Sequence, residues 1–202
     1  MTVRGSTGVA ARPVSALEQA ALDWIEPYSQ AHHLVRTREW VLELDPDASE
    51  ALRLAALTHD IERHFPGGPI QDKTGPWDDE TYNRAHSERS ARIVGGWLEE
   101  QGAGRALVAA VEELILLHET GGLPEADLLQ AADSISFLET LVDIACSWVR
   151  DGVCDAEHAK AKHSWMLERI RIPRARQLAL PFFAEAVAAI DRSVEPYTRG
   201  RR

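Results

Sequence analysis

Nearly every segment of this 202-residue chain repeats its apolar residues at intervals of three and four positions. Leu52, Ala55 and Ala56, for example, share one helical face with His59. No segment alternates apolar and polar residues over the length of a strand. The pattern therefore predicts an all-α protein in which eight helical segments pack as one multi-helix bundle.

Local signals indicate where the predicted helices begin and end. Ser15 and Glu18 form a capping box at the start of the first helix, and Asp78 can cap the fourth helix. A single helix is expected over residues 124–149, because a proline at position 124 suits the first helical turn. Pro181 should kink or split the last helical segment, residues 175–190.

The same signals suggest how the chain is organised. The long irregular stretch between the third and fourth helices is either a lid or a simple connection. No repeat or linker divides the rest, so a single domain is expected. The predicted segments are a disordered tail (residues 1–14), the domain (15–192, with a core at 31–139 and C-terminal helices at 155–192) and a basic tail (193–202).

Composition excludes several functional classes. The chain is 45% hydrophobic and 27% charged, as is usual for soluble globular proteins. Its formal net charge of -10 argues against sequence-independent nucleic-acid binding, which needs a basic surface. No apolar run approaches the ~18 residues of a membrane span, and the first residues lack the apolar core of a secretory signal. We expect a cytoplasmic protein without nucleic-acid or membrane partners; the oligomeric state is not predicted.

Ionisable residues occur on or beside the apolar stripes of successive predicted helices. Such groups are costly to bury unless something satisfies them. Imidazole and carboxylate groups together hold divalent ions and leave positions open for water or substrate. The order of these residues therefore predicts a metal centre, although an ion pair with a core arginine is the alternative for the last of them. They are His33, His59, Asp60, His86, His118 and Asp133.

Three stretches carry a resemblance to a known family. Residues 31–37 (AHHLVRT) contain a histidine followed three and four positions later by a basic and a small branched side chain, which favours His33 over His32 as the ligand. Residues 56–62 (ALTHDIE) contain the adjacent pair His59 and Asp60, and residues 125–134 contain Asp133. In this order the stretches resemble the HD-domain superfamily of metal-dependent phosphohydrolases, over about residues 31–139.

The resemblance implies a fold and a set of metal ligands. An HD-domain helical bundle is expected, with His33, His59, Asp60 and Asp133 holding a divalent transition metal, either Mn, Fe, Co, Ni or Zn. Two further histidines stand where the two-metal branch of the superfamily has ligands. These histidines, His86 and His118, would hold a second ion or the substrate phosphate, or else be hydrogen-bonded core residues.

The resemblance also implies the function. We expect hydrolysis of a small phosphate ester, such as a nucleotide, by a metal-activated water. Two alternatives stay open: a di-iron oxygenase acting on a small polar substrate, which uses the same ordered set of ligands, and a non-catalytic HD domain that binds a ligand. Many relatives carry an acidic residue two positions before the last aspartate and a basic residue after it, where this chain has Ala131 and Ser134. Those differences concern the substrate rather than the metal.

Helical spacing suggests which residues surround the metal. Arg63 and His64 would lie one turn beyond His59 and Asp60. Arg63 suits phosphate binding, and His64 suits proton transfer to a leaving group, so both join Asp60 as predicted catalytic residues. The alternative for both is a solvated helix end.

Two other basic residues are candidates because of their position in the sequence. Arg89, one turn beyond His86, and Lys73, in the long loop, are further substrate-binding candidates. Lys160, Lys162 and His163 are interpreted as a solvated helix face.

Overall fold

The computed structural model describes residues 14–194, and within that range it contains helices and no strands. The all-α prediction is confirmed. Residues 1–13 and 195–202, which include most of both predicted tails, lie outside the described residues. In chain order the α-helices are α1 (Ala16–Ile25), α2 (Ala31–Leu44), α3 (Glu50–Thr58), α4 (Glu80–Glu100), α5 (Arg105–Leu117), α6 (Pro124–Thr140), α7 (Val142–Arg150), α8 (Ala156–Glu168) and α9 (Pro173–Ser193), with a short 3₁₀ helix (Ile61–His64) after α3.

The helix starts follow the capping residues closely. Ser15 and Glu18 form the predicted capping box at the start of α1. Helix α4 is capped by Asp79 rather than by Asp78, because the Asp79 carboxylate accepts hydrogen bonds from the backbone of Thr81 and Tyr82.

The structure differs from two helix predictions. The expected helix over residues 124–149 is divided into α6 and α7 at Leu141, whose φ of -110° and ψ of 11° are not helical. Conversely, α9 continues through Pro181, so the last helical segment is not split there. The proline leaves the carbonyl of Gln177 without its helical donor, but both residues are exposed, so water can solvate that carbonyl.

Helix α6 occupies the middle of the bundle. It packs against α2, α3, α5, α7, α8 and α9. Residues on all sides of α6 are buried, as is typical of a central helix. Any polar side chain that α6 carries toward its neighbours is therefore removed from bulk water, and Asp133 is one of these.

The long loop between the 3₁₀ helix and α4 borders an open cavity. Ile70, in this loop, is 93% exposed at the cavity rim. Trp77, near the end of the loop, is buried against α7 and α8, where it stacks on Trp148 and donates a hydrogen bond to the backbone of His158. Among the described residues, no helix combines the length and the apolar character needed to cross a membrane.

Candidate metal centre

Four helices each bring one histidine to a common point in the interior. His33 lies in the first turn of α2, His86 lies within α4, and His59 and His118 are the C-terminal cap residues of α3 and α5. All four imidazoles are buried. The ring centroid of His59 is 5.7 Å from that of His33 and 5.1 Å from that of His118, and the centroid of His118 is 5.3 Å from that of His86.

Two aspartates complete the cluster. Oδ1 of Asp133 lies 3.1 Å from Nε2 of His33 and 3.3 Å from Nε2 of His59. Oδ1 of Asp60 lies 2.9 Å from Nε2 of His86 and 4.0 Å from Nε2 of His59. The structure thus brings together all six residues that the sequence predicted as metal ligands.

The ligand atoms form two groups that share Asp60. In one group, His33 and His59 join Asp60, and in the other His86 and His118 join it. Within each group the potential ligand atoms lie within 4.8 Å of one another, which suits coordination of one ion. Asp133 adjoins the first group through its contacts with His33 and His59.

The tautomers of the histidines also fit a metal. Nδ1 of His59 lies 3.2 Å from the carbonyl of Ala56, and Nδ1 of His118 lies 2.6 Å from the carbonyl of Ile115. A carbonyl can only accept, so both Nδ1 atoms carry a proton, and in the neutral imidazoles both Nε2 atoms present a lone pair. These Nε2 atoms are buried and, within residues 14–194, accept no hydrogen bond, which is costly unless something binds them. The donor set therefore fits a divalent transition metal.

The other two histidines are oriented by side chains. Nδ1 of His33 lies 2.8 Å from the hydroxyl of Ser136, and Nδ1 of His86 lies 2.8 Å from Oε1 of Glu62. Such partners orient a ligating imidazole and strengthen its basicity. Sequence reasoning missed Ser136 and Glu62. Glu62 lies three residues after His59, and its position in a buried apolar segment is the signal that could have revealed it.

His33, and not His32, reaches the centre. The side chain of His32 is exposed, and its Nε2 lies 3.3 Å from the carbonyl of Thr140 at the end of α6. The register predicted from the basic and branched residues of α2 is consistent with this arrangement.

Arg169 is the main site residue that sequence reasoning did not find. It is the cap residue after α8, and its guanidinium pairs with both Asp133 and Glu119. Glu119 is largely buried beside His118, with Oε1 3.6 Å from the histidine Nε2. Asp133 therefore has both predicted partners at once: one carboxylate oxygen faces the histidines and the other faces a core arginine. Arg169 lies outside the stretches that resemble the HD domain, so no spacing could indicate it.

The carboxylates of the centre are held in their ionised form. Burial alone would raise the pKa of Asp60, but Arg63 and the adjacent imidazoles outweigh burial and hold that pKa well below its usual range. Burial likewise opposes ionisation of Asp133 and Glu119, yet the charge of Arg169 keeps the pKa of both well below the usual range. Ionised carboxylates are the form that binds a cation.

The residues after the His59–Asp60 pair are placed by a change of helix type. Because α3 ends at Thr58 and a three-residue-per-turn helix follows, Arg63 stands over Asp60 rather than over His59. Its guanidinium lies 3.1 Å from Asp60 and faces the cavity. His64 is exposed, packs edge-on against Tyr28 and Phe65, and does not line the cavity.

The remaining substrate-binding candidates have different surroundings. Lys73 lines the cavity. Arg89 does not; it pairs with Glu62 and donates to the carbonyls of Phe65 and Pro66, which anchors the start of the long loop. Lys162 and His163 were wrongly interpreted as solvated, since both are buried and Lys162 lines the cavity.

The metal centre opens into a cavity of about 440 Å³. His33, Asp60, Asp133 and Glu119 lie at its base. Its walls combine cationic side chains with an apolar surface. The cations are Arg63, Lys73, Lys162 and Arg169, and the apolar residues include Phe137, Leu141, Ile144, Trp148 and Met166.

Comparison with known proteins gives two matches. A family model described as "HD domain" matches residues 31–145. A protein of Caldanaerobacter subterraneus subsp. tengcongensis, named deoxyguanosinetriphosphate triphosphohydrolase-like protein, is 35% identical over 121 residues, which cover 55% of this chain and 32% of that protein. The chain thus spans about a third of the length of this curated relative. No solved structure matches the chain.

Proposed function

Because this chain belongs to the HD domain family, we propose that it is a metal-dependent phosphohydrolase that acts on a small phosphate ester. The main supporting observation is that four buried Nε2 atoms converge on Asp60 and Asp133, and two of them have no hydrogen-bond partner among the described residues. The name of the matched relative refers to a nucleoside triphosphate, which supports a phosphorylated substrate for this chain.

The proposed ligands divide between two ions. His33, His59, Asp60 and Asp133 would hold the first. His86 and His118 would hold the second and share Asp60 with it. When bound, the ions would polarise a phosphoryl oxygen and lower the pKa of a coordinated water toward neutrality.

The chain's own side chains would bind and orient the ester. The guanidinium of Arg63 lies at the cavity surface over Asp60, where its donors can contact phosphate oxygens. Lys73 lines the same cavity beside Trp77 and Trp148 and would contact a part of the substrate away from that phosphate. Neither His64 nor Arg89 lines the cavity, so their proposed roles receive no support from its geometry.

Metal analysis tests the proposal most directly. Elemental analysis of protein purified without oxygen should show bound transition metal in the native chain and its loss in His59→Ala and Asp60→Ala. His32→Ala is a matched control, because this exposed histidine adjoins His33 but does not reach the centre. Phosphate release from a panel of nucleotides and sugar phosphates should then require added Mn²⁺, Co²⁺, Ni²⁺ or Mg²⁺. Full metal occupancy in both variants would reject the site.

One observation favours the second candidate, a di-iron oxygenase. Both three-residue groups are intact around a shared Asp60, and the oxygenase branch needs both ions. Oxygen consumption by protein with two irons per chain, without anaerobic phosphate release from any panel member, would favour this alternative.

A further inference from the structure

Lys162 is a buried cation without a carboxylate partner. Its residue is 9% exposed, and its Nζ lies 4.1 Å from the ring centroid of Trp165, 5.4 Å from that of Trp77 and 5.5 Å from that of Phe137. Within residues 14–194 it forms no ion pair. Aromatic faces attract an ammonium group but compensate only part of the cost of removing it from water.

Lys73 approaches the same aromatic group from the long loop. Its Nζ lies 4.8 Å from the ring centroid of Trp148 and 5.8 Å from that of Trp77, and it donates to Oε1 of Gln71 at 2.7 Å. This lysine also has no carboxylate partner in the described part of the chain. Both ammonium groups therefore lie within 6 Å of one rigid ring, that of Trp77, and both line the cavity.

The arginines around the cavity are different, because each is already paired. Arg63 pairs with Asp60, Arg89 pairs with Glu62, and Arg169 pairs with both Glu119 and Asp133. The two lysines are thus the cations of this cavity that have no carboxylate at ion-pair distance among the described residues.

The charge balance indicates that one phosphate does not neutralise a cavity with two bound ions. The lining holds four carboxylates and, with both lysines charged, four cations, so it is neutral by itself; the carboxylates are Asp60, Glu62, Glu119 and Asp133, and the cations Arg63, Lys73, Lys162 and Arg169. The two divalent ions of the proposed function would add four positive charges. A phosphate monoester dianion and a hydroxide at the ions would remove three of these, which leaves one positive charge.

We propose that Lys73 and Lys162 form a second anion-binding subsite, so that the substrate carries a further anionic group, either phosphate or carboxylate, separate from the phosphate at the metal centre. The inference rests on the proposed function, which places the first phosphate at the metal. The apolar wall of the cavity, formed by Phe137, Leu141, Ile144 and Trp148, would contact the part of the substrate between the two anions.

Rigid aryl phosphonates test the subsite independently of turnover. Phenylphosphonate carries one anionic group, 4-phosphonobenzoate adds a carboxylate, and 1,4-phenylenebisphosphonate adds a second phosphonate. The para arrangement prevents both groups of one molecule from chelating the same ion. Calorimetric titration of the metal-loaded protein should show that at least one doubly anionic probe binds ten-fold or more tightly than phenylphosphonate.

Lysine variants assign that preference to the subsite. Lys162→Met and Lys73→Met should each reduce the preference at least five-fold while changing phenylphosphonate affinity less than two-fold. Lys160→Met is the matched control, because Lys160 lies on the outer face of α8 and pairs with Glu157 and Asp191. It should retain the full preference.

The outcomes separate this inference from the proposed function. Equal binding of all three probes by the native protein, or an equal loss of affinity for all probes in the lysine variants, would overturn the second subsite even if the protein hydrolyses phosphate esters. A lysine-dependent preference without metal-dependent phosphate release would support the subsite and reject the hydrolase. If only one of the two doubly anionic probes is preferred, its second group shows whether the subsite binds a carboxylate or a phosphonate.

Discussion

The hydroxyl oxygen of Ser136 lies 2.8 Å from Nδ1 of His33 and 2.8 Å from the backbone carbonyl of the same histidine. The carbonyl takes the single hydroxyl proton, so the serine oxygen must accept from Nδ1. Ser136 thereby places a proton on Nδ1 of His33 and leaves Nε2, which lies 3.1 Å from Oδ1 of Asp133, available to bind an ion. A residue one turn beyond Asp133 on α6 thus orients a proposed ligand on α2.

Ser136→Ala should weaken metal binding about 10–100-fold, the effect usually seen when the partner of a ligating histidine is removed. The fold should be retained, because the substitution removes only a hydroxyl group. Competition with a metal-binding dye measures the affinity. Ser147→Ala removes a similar serine–backbone hydrogen bond on α7 and should leave the affinity unchanged. Equal affinities in the two variants would contradict the role of Ser136.

Arg169→Met should lower the free energy of unfolding by about 3–5 kcal/mol, because it leaves the buried carboxylates of Asp133 and Glu119 without their partner. Urea denaturation of metal-free protein measures the change. Arg171→Met is the control, since this exposed arginine pairs with Asp127 at the surface and its loss should cost less than about 1 kcal/mol. Similar losses in both variants would show that Arg169 does not stabilise the centre.

His86→Ala and His118→Ala distinguish the two proposed chemistries. A hydrolase that works with the ion held by His33, His59, Asp60 and Asp133 should keep measurable phosphate release in both variants, whereas a di-iron oxygenase should lose all activity. Metal content per chain should fall without reaching zero. Phosphate release and oxygen uptake, measured on the same preparations, give the answer. Complete loss of both metal and phosphate release would mean that the two ion sites are not separable.

Lys162→Met should stabilise the protein by about 1–3 kcal/mol at neutral pH, because burial lowers the pKa of Lys162 to about 7 and the folded protein therefore disfavours its charged form. An unfolded lysine titrates near 10.5, so the cost of folding is largest at pH 7 and below and diminishes as the pH rises toward 10.5. Denaturation of the native protein and the variant at pH 6 and pH 9 tests the direction of this pH dependence. A gain in the free energy of unfolding that is larger at pH 9 than at pH 6 would contradict the prediction.

The same titration should affect anion binding. Among the charges near Lys162, Glu119 and Asp133 favour its ammonium form, while Arg169 and Arg63 oppose it. Because the ammonium is lost as the pH rises through about 7, the preference for 4-phosphonobenzoate over phenylphosphonate should fall between pH 6 and pH 9. Because both probes carry a phosphonate, the ratio of their affinities cancels the effect of phosphonate titration on binding. Lys162→Met should show a smaller fall, because burial lowers the pKa of Lys73 to about 8 and this lysine still titrates in the same range. A flat ratio in the native protein would reject the role of this titration.

The sequence alone predicted the helices and the ligand set. Helical periodicity and capping residues are local properties, so they indicated most helix boundaries and placed His33, His59, His86, His118 and Asp133 on buried stripes. The errors arose where neighbouring helices or solvent exposure override the local sequence signals. The break at Leu141 and the continuous helix through Pro181 depend on neighbouring helices and on solvent exposure.

The tertiary structure decided which distant residues complete the site. Arg169 reaches Asp133 and Glu119, and Lys162 reaches the cavity, from a helix whose pattern suggested a solvated face. Periodicity reports which face of a helix is apolar, but it does not report which helices pack around it. The pairing of Arg169 with Asp133 and the position of Lys162 in the cavity are therefore set by the packing of α8 against α6. Contacts between residues far apart in the chain leave no spacing signal in the sequence.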